Sequence, residues 1–124
     1  MSTPRVNWSG VFPAVTTQFN DDFSVNLEKT HGVISNLVRD GVSGLVMCGT
    51  VGENTSLTLD EKIALVEVAK DAAGGRVPVI CGVAEFTSLN ATRTAQAVGR
   101  AGANGIMLMP ALVYSAKPHE TAAH

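Results

Sequence analysis

One glycine-punctuated segment has the residue types and the spacing to bind an anion and to move a proton. It covers residues 49–54 (GTVGEN) and directly follows a run of apolar residues. Gly49 and Gly52 allow a tight turn in which consecutive backbone N–H groups form a nest for a carboxylate or phosphate. Thr50 adds a hydroxyl that both donates and accepts hydrogen bonds. The same spacing also occurs in ordinary connections between a strand and a helix, so the pattern alone leaves both interpretations open.

Few other residues are candidates for catalysis or for metal binding. Tyr114 is the only tyrosine in the chain and is a second candidate for proton transfer. We expect Glu53 to order the loop by hydrogen bonding to its backbone. Asp21 and Asp22 are typical of a turn, and no second group at usable spacing predicts a metal site. None of the three histidines has an evident partner for a catalytic triad.

Lysine is the residue that would form a covalent imine with a keto group. The chain has four lysines, which are Lys29, Lys62, Lys70 and Lys117. The first three fall on predicted helices at positions where charged side chains ordinarily face water, and none follows a later buried strand. We therefore expect no nucleophilic lysine among these residues.

The elements that must position the loop repeat a strand-then-helix unit. Predicted strands lie at residues 10–17, 44–48, 77–81 and 106–109, and a helical pattern follows each one. Candidate helix caps are Ser24 or Asn26, Thr58 with Glu61 in a capping box, and Thr87 or Ser88. Glycines follow the ends of the first three predicted helices. Loop 49–54 therefore lies at the carboxyl end of a predicted strand, where α/β enzymes place their sites.

Repeated strand–helix units predict a parallel sheet with short connections. An open doubly wound sheet and a (β/α)8 barrel both fit this pattern. Neither a G-x-G-x-x-G motif nor a P-loop follows the first predicted strand, which favours the barrel. At 124 residues the chain is about half of a typical barrel of roughly 250 residues. We therefore predict one half-barrel of about four βα units over residues 1–124, with no internal domain boundary.

Composition narrows the classes of function. The chain is 45% hydrophobic and 16% charged, with a formal net charge of −2, as in soluble globular proteins. It has no basic patch that would predict nucleic-acid binding. No apolar run approaches the roughly 18 residues of a membrane span, so we expect a cytoplasmic protein. Cys48 and Cys81 lie in apolar runs and are expected to be buried free thiols.

Three segments together resemble the dihydrodipicolinate synthase and N-acetylneuraminate lyase family. They are residues 49–53 followed by 57–61, residues 10–17 and residues 78–83, and they occur in that family's order from about Val11 to the last residue. The resemblance implies a (β/α)8 barrel that acts as a class I lyase or synthase on pyruvate or a related 2-oxoacid. It implies a lysine Schiff base, no metal or cofactor, and a homotetramer built as a dimer of dimers.

The resemblance also implies roles for individual residues. Backbone N–H groups at Gly49, Val51 and Gly52 would bind the substrate carboxylate, and Thr50 would belong to a hydroxyl proton relay. Tyr114 matches a Tyr-Tyr-Asn-x-Pro stretch whose second tyrosine reaches a neighbouring subunit, although this loop is longer and has a single tyrosine. The Schiff-base lysine and a proton-shuttling tyrosine of the family would lie beyond His124. We therefore expect a 124-residue chain alone to be inactive.

Val51 is where the sequence departs from the synthase pattern, which usually has a second threonine there. Losing that hydroxyl removes a hydrogen bond worth about 0.5–1.5 kcal/mol, which weakens a strict synthase assignment. A dehydratase or deaminase of a hydroxylated 2-oxoacid or cyclic imine, or an aldolase, then fits the sequence about as well as a synthase does. A non-catalytic module that binds 2-oxoacids, and a phosphate-binding half-barrel, are further alternatives.

Overall fold

Helices and strands alternate along the chain in a computed structural model that describes residues 5–111 and 113–124. Leu112, within the loop that carries Tyr114, lies outside the described residues. The elements are α1 (Leu27–Arg39), β1 (Leu45–Met47), α2 (Leu59–Ala73), β2 (Val79–Val83), α3 (Ser88–Arg100), β3 (Gly105–Leu108) and α4 (Pro118–Ala123). One turn of 3-10 helix, Asn54–Ser56, lies between β1 and α2.

The three strands form a parallel sheet in the order β1-β2-β3. Leu45 of β1 pairs with Val79 of β2, and Ile80 of β2 pairs with Gly105 of β3. Each strand is followed by a helix, as the repeated pattern predicted. The second of these strands begins two residues later than predicted, at Val79 instead of Val77.

The first predicted strand, residues 10–17, is not a regular strand. It runs parallel to β1 and joins it through one isolated bridge, between Ala14 and Val46. The Val46 N–H donates to Pro13 O at 3.0 Å, and the Val15 N–H donates to Val46 O at 2.9 Å. Because Pro13 has no N–H, its position in the segment contributes only an acceptor. The segment nonetheless occupies the fourth strand position of the sheet.

The predicted helix caps are confirmed. The Asn26 side chain accepts from the Lys29 N–H at the start of α1, and Thr87 accepts from the Asn90 N–H at the start of α3. Thr58 and Glu61 form the predicted capping box of α2. Gly74 ends α2 with a φ of 56°, in the left-handed region that glycine adopts without strain.

The hydrophobic core lies between the sheet and the helices. It contains Ile34 of α1, Leu45 of β1, Leu65 of α2 and Val79 of β2, each fully buried. β3 differs, because Ile106, Met107 and Leu108 are 43–47% exposed. One flank of the sheet is therefore packed and the other is open. No helix within the described residues is long and apolar enough to cross a membrane.

The expected solvent-facing position of Lys62 is wrong. Its side chain is only 6% exposed, whereas Leu59, one turn earlier, is 40% exposed. The buried face of α2 therefore includes Lys62. The cause is tertiary: the ammonium finds Asn54 and Glu85 as partners, and neither is on the helix.

Candidate functional site

Loop 49–54 leaves the carboxyl end of β1 with five of its six carbonyl groups accepting hydrogen bonds from the protein. The Asn54 N–H donates to Gly49 O at 3.2 Å, and the Glu53 N–H donates to Thr50 O at 3.0 Å. The hydroxyl of Thr17 donates to Gly52 O at 2.7 Å. Thr17 comes from the segment beside β1, and sequence reasoning did not single it out. The carbonyl oxygens of these peptide groups, which carry the partial negative charge, therefore accept hydrogen bonds from within the protein.

Three N–H groups of the same loop have no acceptor within the described part of the protein. Across residues 5–111 and 113–124, no backbone N–H of Thr50, Val51 or Gly52 donates a hydrogen bond to the protein. Three consecutive donors without internal acceptors form a positively polarised stretch of backbone, and such a stretch favours an anion. The structure thus gives loop 49–54 the polarity that carboxylate binding requires.

The loop is bent at both ends through residues other than glycine. Cys48 has a φ of 53° and Glu53 a φ of 60°, both in the left-handed region that side chains disfavour. Such conformations persist only where surrounding contacts impose them, and they cluster at functional sites. At Gly52 a Cβ atom would lie 2.9 Å from Val15 O, so the loop needs glycine there for close approach.

Asn54 ties the loop to the ends of two strands. Its Nδ2 donates to Cys48 O at 2.6 Å and to Gly82 O at 3.1 Å, and the residue is buried. Glu53 was expected to order the loop, but its side chain is exposed and accepts no hydrogen bond in the described part of the chain. The amide of the next residue performs that task. The sequence carried no signal for this role of Asn54, because its two acceptors lie at the carboxyl ends of β1 and β2.

A buried charged pair lies behind Asn54. Lys62 Nζ donates to Asn54 Oδ1 at 3.1 Å and to Glu85 Oε1 at 3.4 Å, and Thr94 Oγ1 donates to the same Glu85 oxygen at 2.9 Å. The Glu85 side chain is 23% exposed. Four side chains from four segments therefore form one continuous polar network beneath loop 49–54.

Thr50 and Tyr114, the two predicted relay residues, line different cavities. Thr50 borders a cavity of about 170 Å³ together with Gly49, Val83 and Met107. Tyr114 is 75% exposed and borders a second cavity beside Phe86 and His124. The structure of this chain does not bring the two hydroxyls together, so a shared relay remains a prediction.

The two cysteines are free and buried, as expected. A hydrogen bond with Cys81, together with burial, raises the pKa of the Cys48 thiol above its ordinary value. Cys48 lines the same cavity as Thr50, but at neutral pH it carries no negative charge that would repel a carboxylate. No cluster of three or more metal-ligating side chains occurs among the described residues.

Comparison with known proteins identifies the family. The model of the dihydrodipicolinate synthetase family matches residues 7–124. The chain belongs to this family. The 4-hydroxy-tetrahydrodipicolinate synthase 1 of Halalkalibacterium halodurans is 39% identical over 104 residues, which cover 84% of this chain and 35% of that protein. An uncharacterised DapA-like lyase of Rhizobium meliloti is 38% identical over 109 residues, covering 86% and 35%.

Solved structures of the dihydrodipicolinate synthetase family share the fold. YagE, a prophage protein of E. coli K12 solved in complex with pyruvate, has a TM-score of 0.86 at 28% identity over 94% of this chain and 39% of its own. A family member from Coccidioides immitis has a TM-score of 0.90 at 27% identity, covering 98% and 40%. The predicted (β/α)8 architecture is confirmed, and the chain spans about a third of the length of the curated relatives it matches.

Proposed function

We propose that the chain supplies the carboxylate-binding loop of a Schiff-base lyase or synthase that acts on pyruvate or a related 2-oxoacid. One observation carries the proposal: five of the six carbonyls of loop 49–54 accept hydrogen bonds within the protein, whereas the N–H groups of Thr50, Val51 and Gly52 donate none among the described residues. Family membership adds a lyase class, since the curated relatives include 4-hydroxy-tetrahydrodipicolinate synthases. The pyruvate held by YagE is a ligand of the proposed kind.

The proposed chemistry divides between binding and bond making. The substrate carboxylate accepts hydrogen bonds from the loop N–H groups, which orients the keto carbon. A lysine amine attacks that carbon, water leaves, and the protonated imine withdraws electrons from the adjacent carbon. We expect this lysine in a later segment of the parent protein. Thr50, with Tyr114 of a neighbouring subunit in a tetramer of tight dimers, would move protons to and from the substrate.

A second candidate function follows from Val51. This side chain is 55% exposed and brings no hydroxyl to the loop, so the carboxylate would be held by backbone donors and Thr50 alone. A dehydratase or deaminase of a hydroxylated 2-oxoacid or cyclic imine, built on the same imine chemistry, is the alternative. Release of water or ammonia from such a substrate by the full-length protein would favour it over carbon–carbon bond formation.

Trapping the imine tests the covalent mechanism. The full-length protein that carries this chain is incubated with pyruvate and borohydride, digested and mapped by mass spectrometry. We expect one reduced adduct, on a lysine outside residues 1–124, and no specific adduct on a 124-residue chain prepared alone. Omitting pyruvate or borohydride provides the controls. An adduct on Lys62 would assign the nucleophile to this chain and contradict the proposed division of labour.

Absence of any adduct has a separate meaning. If the full-length protein binds pyruvate saturably without forming an adduct, the loop belongs to a non-catalytic 2-oxoacid-binding module. If phosphate or a sugar phosphate protects loop 49–54 from amide exchange better than pyruvate does, the site is a phosphate site instead.

A further inference from the structure

We propose that Lys62 is a positioning residue that fixes the carboxylate-binding loop through Asn54. The identity of the ligand rests on the proposed function, whereas the network itself is independent of it. Lys62 is a buried cation on α2 that the proposed chemistry does not use. Its ammonium contacts Asn54, the side chain that attaches loop 49–54 to Cys48 O and to Gly82 O of β2.

The contact with Lys62 sets the orientation of the Asn54 amide. An ammonium group has only donors, so Lys62 Nζ at 3.1 Å requires the oxygen of the amide to face it. The amide nitrogen must then face Cys48 O and Gly82 O, and both of its hydrogens are used there. Without the ammonium, the buried Asn54 oxygen would lose its donor, and the orientation of the amide would rest on the two carbonyls alone.

Glu85 holds the ammonium in place. Its Oε1 lies 3.4 Å from Lys62 Nζ and also accepts from Thr94 Oγ1 at 2.9 Å, so the carboxylate is anchored to α3. A buried lysine is costly unless it is paired and hydrogen bonded, and here both conditions are met. Replacing a buried ion pair by packed hydrophobic residues is often neutral or stabilising, so packing alone does not account for a charge at this position of α2.

That task is to hold the loop at both ends. Asn54 bonds to the carbonyl of Cys48, immediately before the loop, and so closes residues 48–54 into a ring. The bond to Gly82 O attaches the ring to β2. The three unused N–H groups lie inside this ring, at Thr50, Val51 and Gly52. If Asn54 is held less firmly, the three N–H groups are held less firmly as well. Their alignment with a bound carboxylate is then poorer.

Helix α2 offers a matched control in Lys70, two turns further on. Lys70 Nζ donates to Asn104 Oδ1 at 3.0 Å, and that oxygen also accepts from the Val79 N–H at 2.9 Å. This lysine–asparagine pair lies at the opening of β2, whereas loop 49–54 meets β2 at Gly82. Lys62→Met and Lys70→Met thus remove the same group from similar pairs, and only the first acts on the loop.

Amide hydrogen exchange in the full-length protein tests the positioning directly. We expect exchange of the Glu53 and Asn54 amides, the loop N–H groups that donate within the protein, to become at least about tenfold faster in Lys62→Met and to stay unchanged in Lys70→Met. Lys62→Arg keeps the positive charge and should recover part of the protection. Equal protection of the loop in Lys62→Met and Lys70→Met overturns the proposal. If Lys62→Met does not fold, Glu85→Gln provides the test. We expect a smaller acceleration of amide exchange in the same segment, and no acceleration would contradict the positioning role.

Ligand binding supplies a second readout. The half-saturating pyruvate concentration should rise about tenfold in Lys62→Met, equivalent to about 1.4 kcal/mol, and should change little in Lys70→Met. Suppose that the wild-type protein forms the pyruvate adduct and that amide exchange in the loop is the same with and without Lys62. This result refutes the positioning role and leaves the proposed function standing. Loop exchange that depends on Lys62 in a protein without any adduct refutes the proposed function and leaves the positioning role standing.

Discussion

Thr17 stabilises the candidate site with a single hydroxyl. Its Oγ1 donates to Gly52 O at 2.7 Å, and the residue is 7% exposed. Thr17→Val keeps the shape but leaves that carbonyl without its donor, so we expect a loss of about 1–3 kcal/mol in the free energy of unfolding and weaker pyruvate binding. Urea unfolding and pyruvate titration measure the two effects. Thr16→Val, at an exposed position beside it, is the control, and an equal effect of both variants would contradict the assignment.

The residues that the sequence could not assign share one property. Thr17, Asn54 and Lys62 each have one partner that is distant along the chain, 35, 28 and 23 residues away, respectively. Local spacing carries no record of such contacts, because each depends on which strand ends meet in the folded sheet. Thr50 and the glycines were accessible, since a turn that exposes N–H groups is encoded within six consecutive residues.

Elements were more predictable than side-chain contacts. The caps at Asn26, Thr58 and Thr87 follow from local hydrogen bonding, and the structure confirms all three. The start of β2 was misplaced because Val77-Pro78 continues the apolar run, although Pro78 contributes only its carbonyl, which accepts from the Leu45 N–H. Apolar character thus located each strand but did not fix its ends.

The turn between the first segment and α1 carries a pH-dependent contact. Asp22 accepts from the Ser24 hydroxyl at 2.6 Å and the Ser24 N–H at 3.0 Å, and these bonds lower the pKa of its carboxyl below the ordinary 3.8. A lowered folded-state pKa contributes stability above about pH 3.8, and this contribution is lost as pH falls through the lowered value.

Asp22→Asn should therefore lower the thermal midpoint slightly at neutral pH, and the difference from wild type should vanish in strongly acidic solution. Thermal unfolding followed by circular dichroism from about pH 2 to about pH 7, a range that spans the ordinary carboxyl value, measures it. Asp21→Asn, at a neighbouring exposed position, should show no such trend. A difference that grows as the pH falls would refute the argument.

The close approach of β1 and β2 depends on Gly82. A Cβ atom there would lie 2.3 Å from Cys48 O, which is backbone and cannot move aside cheaply. We expect Gly82→Ala to cost about 3 kcal/mol or more in the free energy of unfolding. Gly99→Ala, on exposed α3 with open space around it, should instead stabilise the protein by up to about 1 kcal/mol. Chemical denaturation of both variants checks the opposite signs.

At the scale of the whole molecule, the residues of β1 and β2 are largely buried, whereas those of β3 are exposed. The face of the sheet toward the helices is packed at β1 and β2, because α2 packs against both strands, α3 packs against β2, and α1 packs against α2. β3 pairs with β2 on one side only among the described residues, and Ile106, Met107 and Leu108 are exposed although successive side chains point to opposite faces of the sheet. In a closed (β/α)8 barrel the next strand, the opposite wall and the surrounding helices would bury them.

A 124-residue chain prepared alone should therefore associate through β3. Burying a leucine side chain is worth about 1.5–3 kcal/mol, so Leu108→Lys should weaken association by about tenfold or more. Val113→Lys, which places the same charge at a 68% exposed position outside the sheet, is the matched control and should have little effect. Sedimentation velocity over a range of concentrations measures both. Because unpaired strand edges and apolar faces recruit further chains, a monomer at every concentration would mean that this edge is covered from within the chain.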